Sequence, residues 1–281
     1  MSTLIKSFCV LAFAVWAGAA QPGTGKFTAA CSLPFTPTGG LTIDQSCGIF
    51  GSAAANTSEG LQNQAKNNFC ATGTPATVTP AILLSLQGAT AKAKVSFGSE
   101  KLLPQDRSTL QGGFSINGKT YHEGQLVHMA AFFIETHPAD LSSGESVNCD
   151  TKKDPLGNDV HMALGTAYGA DECTSVTAEL SPHFRPGDWK ILADIKPKDK
   201  VEKTTPITQF PVRVTGQLFF DASHKLCNNG KAVAGNPARQ SAWEIHPVYQ
   251  VDICRHQTLS ECEADQADVW IPIKDWKPTG N

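Results

Sequence analysis

The feature that most limits the fold is a period-two alternation of apolar and polar residues recurring through 111–255. Such alternation puts one side of a strand into a core and leaves the other side polar. It predicts strands over 126–135, 159–167, 175–181, 210–221 and 241–253, and Asn117-Gly118 marks a hairpin between 114–116 and 119–121. A helical stretch over 188–195, with Trp189, Leu192 and Ile195 on one side, falls between the third and fourth long strands. The order strand, strand, strand, helix, strand, strand is that of the five-stranded OB barrel, and a plain antiparallel sandwich is the rival. Gly216, inside the fourth strand, is where such a barrel would bend sharply.

The expected fold is therefore mainly β. It is a five-stranded OB-like β-barrel with one inter-strand helix, preceded by a smaller cysteine-containing region with short helices. The chain divides into a signal peptide (1–20), an N-terminal cysteine-containing region (21–110), the barrel (111–255) and a C-terminal extension packing on the barrel (256–281). In the N-terminal region, Leu61, Ala65 and Phe69 have helical spacing within 58–69. Thr79-Pro80 is a helix start for 81–87, an N-cap followed by proline at the first helical position. Ser260-Glu261-Cys262-Glu263 resembles a capping box. Trp270 and Trp276 are expected to close over core, with a partner patch as the other reading.

Lys6, an apolar run from Phe8 to Trp16 and the small residues Ala17-Gly18-Ala19 form a secretory signal, with Ala20 as an alternative end. A secreted or periplasmic location follows after its cleavage, with no membrane span. Cleavage removes Cys9 from the nine cysteines and leaves eight: Cys31, Cys47, Cys70, Cys149, Cys173, Cys227, Cys254 and Cys262. An even set in an exported chain reads as disulfides, and no C-x-x-C spacing argues for zinc-thiolate. Eight cysteines leave 105 connectivities open. Proximity along the chain favours Cys47 with Cys70 and Cys149 with Cys173.

Cleavage also removes Lys6, leaving 22 of the 23 basic residues against 26 acidic ones, a charge of −4. A negative chain without aromatic platforms on its polar strand faces is a poor nucleic-acid binder. A small ligand, a glycan or a protein partner remains. No G-x-S-x-G elbow, P-loop or dinucleotide fingerprint is present, so α/β-hydrolase and nucleotide chemistry are set aside.

Phasing the strands separates Val160, Met162 and Leu164 from Asp159 and His161. It separates Val176, Ala178 and Leu180 from Glu179 and, beyond the strand, His183. Val212 and Val214 part from Arg213, and Trp243 and Ile245 from Glu244 and His246. OB strand neighbours would bring Asp159, His161, Glu179, Glu244 and His246 onto one polar surface. The default for an antiparallel sheet is that this surface faces solvent. The sharper reading takes His161, Glu179, Glu244 and His246 as ligands of a divalent metal, zinc or manganese, activating water for hydrolysis. No cofactor is required by the binding reading, in which Asp159, His183 and Arg213 are the ligand-contacting candidates. Glu244 is expected to pair with Arg213 or Arg239. Asp221-x-x-His224, beside Cys227-Asn228-Asn229-Gly230, is a candidate site loop, with a plain turn as the favoured reading.

Glu123-Gly124, Val127, Asn148-Cys149, Asp159-x-His161, Val212-Arg213-Val214-Thr215-Gly216 and Trp243-Glu244-Ile245-His246-Pro247-Val248 together resemble a group of exported bacterial proteins with an OB-like barrel. The W-E-I-H-P-V run is the most specific part, and the match covers roughly 120–255. Asp44-Gln45-Ser46-Cys47-Gly48 and Lys66-Asn67-Asn68-Phe69-Cys70 are similar to N-terminal parts of that group. A cysteine stands in the group's pattern where this chain has Val147, so no disulfide pairing carries over. The resemblance implies a fold and a compartment, and no activity.

Overall fold

A computed structural model describes residues 48–138, 159–185, 188–192, 195, 206–234 and 237–277. The signal peptide, Cys31, Cys47, Val147 and Cys149 lie outside the described residues, as does the 44–47 part of the N-terminal motif.

Three helices are described: α1 (Ser58–Lys66), α2 (Pro80–Lys92) and α3 (Ser108–Gly112). The strands are β1 (Ala76–Thr77), β2 (Phe114–Ile116), β3 (Lys119–Tyr121), β4 (Leu126–Pro138), β5 (Val160–Gly165), β6 (Val176–Leu180), β7 (Val212–Phe220), β8 (Trp243–Cys254) and β9 (Trp270–Pro272). Five of them close a mixed barrel in the order β4-β5-β6-β8-β7, with β7 returning to β4. β6 and β8 run parallel and the other barrel pairs antiparallel. This is the OB order. β4 closes the barrel because its first half pairs with β7 and its second half with β5. A register shift between Phe133 and Glu135 bends it between the two.

The alternation lies behind this closure. Val160, Met162, Leu164, Val176, Ala178, Leu180, Val212, Val214, Leu218, Trp243 and Ile245 all enter one apolar core. Gly216 sits at a register shift between β7 and β8, where a Cβ would stand 2.4 Å from the Pro247 carbonyl oxygen. Only a residue without a side chain lets the two strands approach there. The hairpin turn places Asn117 and Gly118 at φ 51° and 78°, the paired positive values of a type I′ turn.

Thr79 caps α2, its hydroxyl accepting from the Ile82 N–H at 3.2 Å, and Leu83 and Leu86 join the barrel core. The helix expected over 188–195 is instead a 3-10 turn, Trp189–Leu192. Trp189, Leu192 and Ile195 are spaced by three, the period of that tighter helix, and all three are buried. The capping-box segment likewise forms a short 3-10 turn, Leu259–Glu261. Trp270 is buried against Cys254, Cys262 and Val269, and Trp276 meets Phe210 edge-on at the rim of the core.

Two disulfides are described, Cys173–Cys227 and Cys254–Cys262. The pairing of Cys173 with Cys149 is thereby corrected. The Ala238 N–H donates to Glu172 at 3.0 Å and the Gln240 N–H to the Ser175 carbonyl at 3.1 Å, so 172–175 lies against 238–240. Topology brings Cys227 closer than chain distance suggests, because loop-closure cost grows only slowly with length. Such bonds fit an extracellular or periplasmic protein. No described helix is long and apolar enough to cross a membrane.

Candidate functional site

Strand register assembles the site. His161 on β5 stands opposite Glu179 on β6, and Ala178 stands opposite Ile245 on β8. Glu179 is therefore flanked by His161 on one side and by Glu244 and His246 on the other. The His161 Nε2–Glu179 Oε1 distance is 3.4 Å and the His246 Nδ1–Glu179 Oε2 distance 2.9 Å. His246 Nδ1 also lies 3.5 Å from Glu244 Oε1. The four metal candidates thus converge, as the phasing predicts.

The setting differs from the solvent face expected by default. Asp159, Glu179, Glu244 and His246 are fully buried and His161 is 3% exposed. The cover is α1. Its last residue, Lys66, points its ammonium into the cluster, 2.9 Å from Glu179 Oε2, 3.4 Å from Asp159 Oδ2 and 3.6 Å from Asp221 Oδ2. A sheet face that water cannot reach must neutralise its charge internally, and Lys66 does so here. The default rule failed because α1 lies nearly a hundred residues before β5, too far for strand patterning to register it.

Asp221 belongs to the same site as well as to the turn expected there. Its carboxylate accepts from Gln62 Nε2 of α1 at 3.2 Å and lies 3.0 Å from His224 Nδ1. The turn geometry expected of such a segment is also present, since the Ser223 N–H donates to Asp221 at 2.9 Å. Arg239 Nη1 donates to Glu244 Oε2 at 2.8 Å, which settles the partner of Glu244. Arg213 is elsewhere. It forks onto Asp252 at 2.8 Å, donates to the Ala264 and Gln266 carbonyls, and stacks on Trp270. It is committed to holding the C-terminal segment, and the structure does not bring it to the cluster. His183 is buried just past β6, its backbone N–H donating to Ser181 Oγ at 3.3 Å.

The charges titrate unevenly. Burial opposes ionisation of Glu179, but Lys66, His161 and His246 outweigh it and hold the carboxyl well below the usual range. Asp221 is held low in the same way, burial being outweighed by His224 and Lys66. Glu244 goes the other way: burial and the neighbouring Glu179 and Asp221 charges push its carboxyl well above the ordinary value. Burial works against the Lys66 ammonium, yet Glu179, Asp159 and Asp221 raise it well above an ordinary lysine. For His224, burial and Arg239 oppose the charge, and Asp221 prevails to raise it. Glu179 and Asp221 held ionised, a Glu244 carboxyl that retains its proton readily and a firmly charged Lys66 therefore meet in one centre.

Sequence reasoning missed Lys66 and the α1 amides, and it ranked a site role for Asp221 and His224 below a plain turn. The signal within reach was the K-N-N-F-C run ending α1, which is polar where a helix packing by apolar contact would not be.

The ligand atoms of Asp159, Glu179 and His246 lie within 4.8 Å of one another, as do those of Glu179, Asp221 and Glu244. By donor type the first trio suits zinc or manganese. The Lys66 ammonium stands among those oxygens and already supplies the positive charge a metal would. A metal at this trio would compete with the Lys66 ammonium for the Asp159 and Glu179 oxygens. Comparison of the chain with models of protein families, with curated proteins and with solved structures finds no match.

Proposed function

We propose that this chain is an exported, disulfide-held binding or structural protein of the bacterial envelope, with its signal peptide removed. Its binding face is the β5–β6–β8 side of the barrel, the side on which OB barrels take ligands. One observation carries this reading: the polar side chains of that face converge, and α1 closes over them with Lys66 at their centre. A catalytic metal centre needs an open coordination position and a path for substrate. A buried ammonium at the centre offers neither, which weighs against a metal-dependent hydrolase. The convergence of Asp159, Glu179 and His246 keeps that hydrolase as the second reading. The ligand is a small molecule, glycan or protein partner rather than nucleic acid.

The test is metal analysis of the purified protein, with thermal-shift measurements against zinc, manganese, glycans and peptides. The expected result is no stoichiometric metal and a melting shift with a non-nucleic-acid ligand. Stoichiometric zinc or manganese, together with an ester or amide hydrolysis lost in His246→Ala, would establish the hydrolase instead.

A further inference from the structure

We propose that residues 48–67, the segment carrying α1, form a strap that leaves the barrel as a unit while the rest of the molecule stays folded. Its departure is what opens the His/carboxylate face. This rests on the reading of that face as the binding face.

The strap is held to itself. Asn63 Nδ2 donates to the Phe50 carbonyl at 2.9 Å and Asn67 Nδ2 to the Ile49 carbonyl at 3.1 Å, tying the leading loop to the helix. Gly60 lies so close to that loop that a Cβ would stand 2.1 Å from the Ala54 carbonyl oxygen. Loop and helix therefore move together.

Its hold on the barrel is mainly polar. Among the described residues no α1 side chain belongs to the main apolar core; Ala65 packs with the barrel residue Phe219 in a separate two-residue cluster, and Leu61 is also buried. The other ties include the Lys66 ion pairs, Gln62 with Asp221, Arg107 and the Ala222 N–H, Asn67 with Ser181, Ser58 with Gln105, and the Ala65 carbonyl with Gln217. Groups that hydrogen-bond across a polar contact recover water when it opens, so the net loss is modest. Desolvation likewise offsets much of the attraction in a buried ion pair. The face beneath is also incompletely satisfied by the strap: His246 Nε2 and Arg239 Nε are buried without a hydrogen-bond partner. Opening hydrates both. Undocking therefore exposes little apolar surface, that of Leu61, Ala65 and Phe219. A pivot lies just past the helix, where the Tyr249 hydroxyl donates to the Asn68 carbonyl at 2.8 Å and accepts from the Ala71 N–H at 3.2 Å, Asn68 Nδ2 donates to Gln217, and the Phe69 ring stacks on Tyr249 and meets Phe184.

Native-state hydrogen exchange on the full chain with disulfides intact tests this, followed residue by residue through sub-denaturing urea. The amides of α1 are expected to exchange at least about 100-fold faster than those of β5, β6 and β8, with a weak urea dependence. Lys66→Met should widen the gap while leaving barrel amides protected. If α1 and barrel amides exchange together with one urea dependence, the strap does not exist. The binding reading fails separately, if no glycan or peptide shifts the melting of Lys66→Met, whose face is freed of its internal cation.

Discussion

α1 and α2 lie against the same barrel and are held there by different means. α2 inserts Leu83 and Leu86 into the main core, with the Trp243 indole N–H donating to Thr90 Oγ1 at 2.8 Å. α1 inserts Lys66 among Asp159, Glu179 and Asp221. An apolar contact is non-directional and tolerates neighbours of similar volume, whereas a buried ionic contact depends on every partner being present. The α2 side is thus a wall of the barrel, and the α1 side is a closure whose integrity depends on a few charges.

The largest expected effect is at the closure. Lys66→Met leaves Asp159, Glu179 and Asp221 without their shared ammonium, a loss of about 3–5 kcal/mol for breaking a buried pair. The loss should register in α1 amide protection rather than in the urea midpoint of the barrel. On the α2 side, Leu86→Ala should cost about 2–5 kcal/mol of global stability by cavity formation, read directly from the urea midpoint. If Lys66→Met lowers that midpoint as much as Leu86→Ala does, the two sides are not different in kind.

Acid sharpens the contrast. Glu179 and Asp221 have folded pKa values below their unfolded ones. Their contribution is present above an unfolded pKa near about 4 and is lost as pH falls through the folded values. Lys66, raised when folded, contributes below about 10.4 and loses that only as pH rises through a still higher value. Glu244, also raised, contributes fully below about 4.3 and loses that as pH rises through its folded value. The α1 closure should therefore loosen below about pH 4 while the Leu83 and Leu86 contacts, which carry no titrating group, persist. Backbone NMR at pH 3 and pH 6 would show α1 signals moving ahead of α2 signals. The smallest effect is at Leu84, which is 47% exposed on α2. Leu84→Lys should change the urea midpoint by no more than about 0.5 kcal/mol, marking which α2 face is wall and which is surface.

The same contrast explains what the chain discloses unaided. Barrel strands announce themselves because Val160, Met162 and Leu164, or Val212 and Val214, alternate locally, and a closed barrel uses that alternation directly. The hairpin at Asn117-Gly118 and the start of α2 at Thr79-Pro80 are also local, set by backbone preference. Convergence of His161, Glu179, Glu244 and His246 follows once the OB strand order is assumed. The depth of that cluster does not follow, because it depends on Lys66 arriving from α1. Leu61, Ala65 and Phe69 suggest an apolar face for that helix. It ends at Lys66, however, and buries Gln62, Asn63 and Lys66 beside Leu61 and Ala65. A polar residue reveals its burial only through its partners, and those of Lys66 lie on β6 and beside the ends of β5 and β7. Pairing of Cys173 with Cys227 was hidden for the same reason.

The most direct measurement is a double-mutant cycle of Lys66→Met and Glu179→Gln, reading α1 protection by hydrogen exchange. A shared buried ion pair predicts that the double variant loses less than the sum of the single losses, with a coupling of about 0.5–3 kcal/mol. Losses that add to within about 0.5 kcal/mol would mean that Lys66 does not hold the face closed through Glu179.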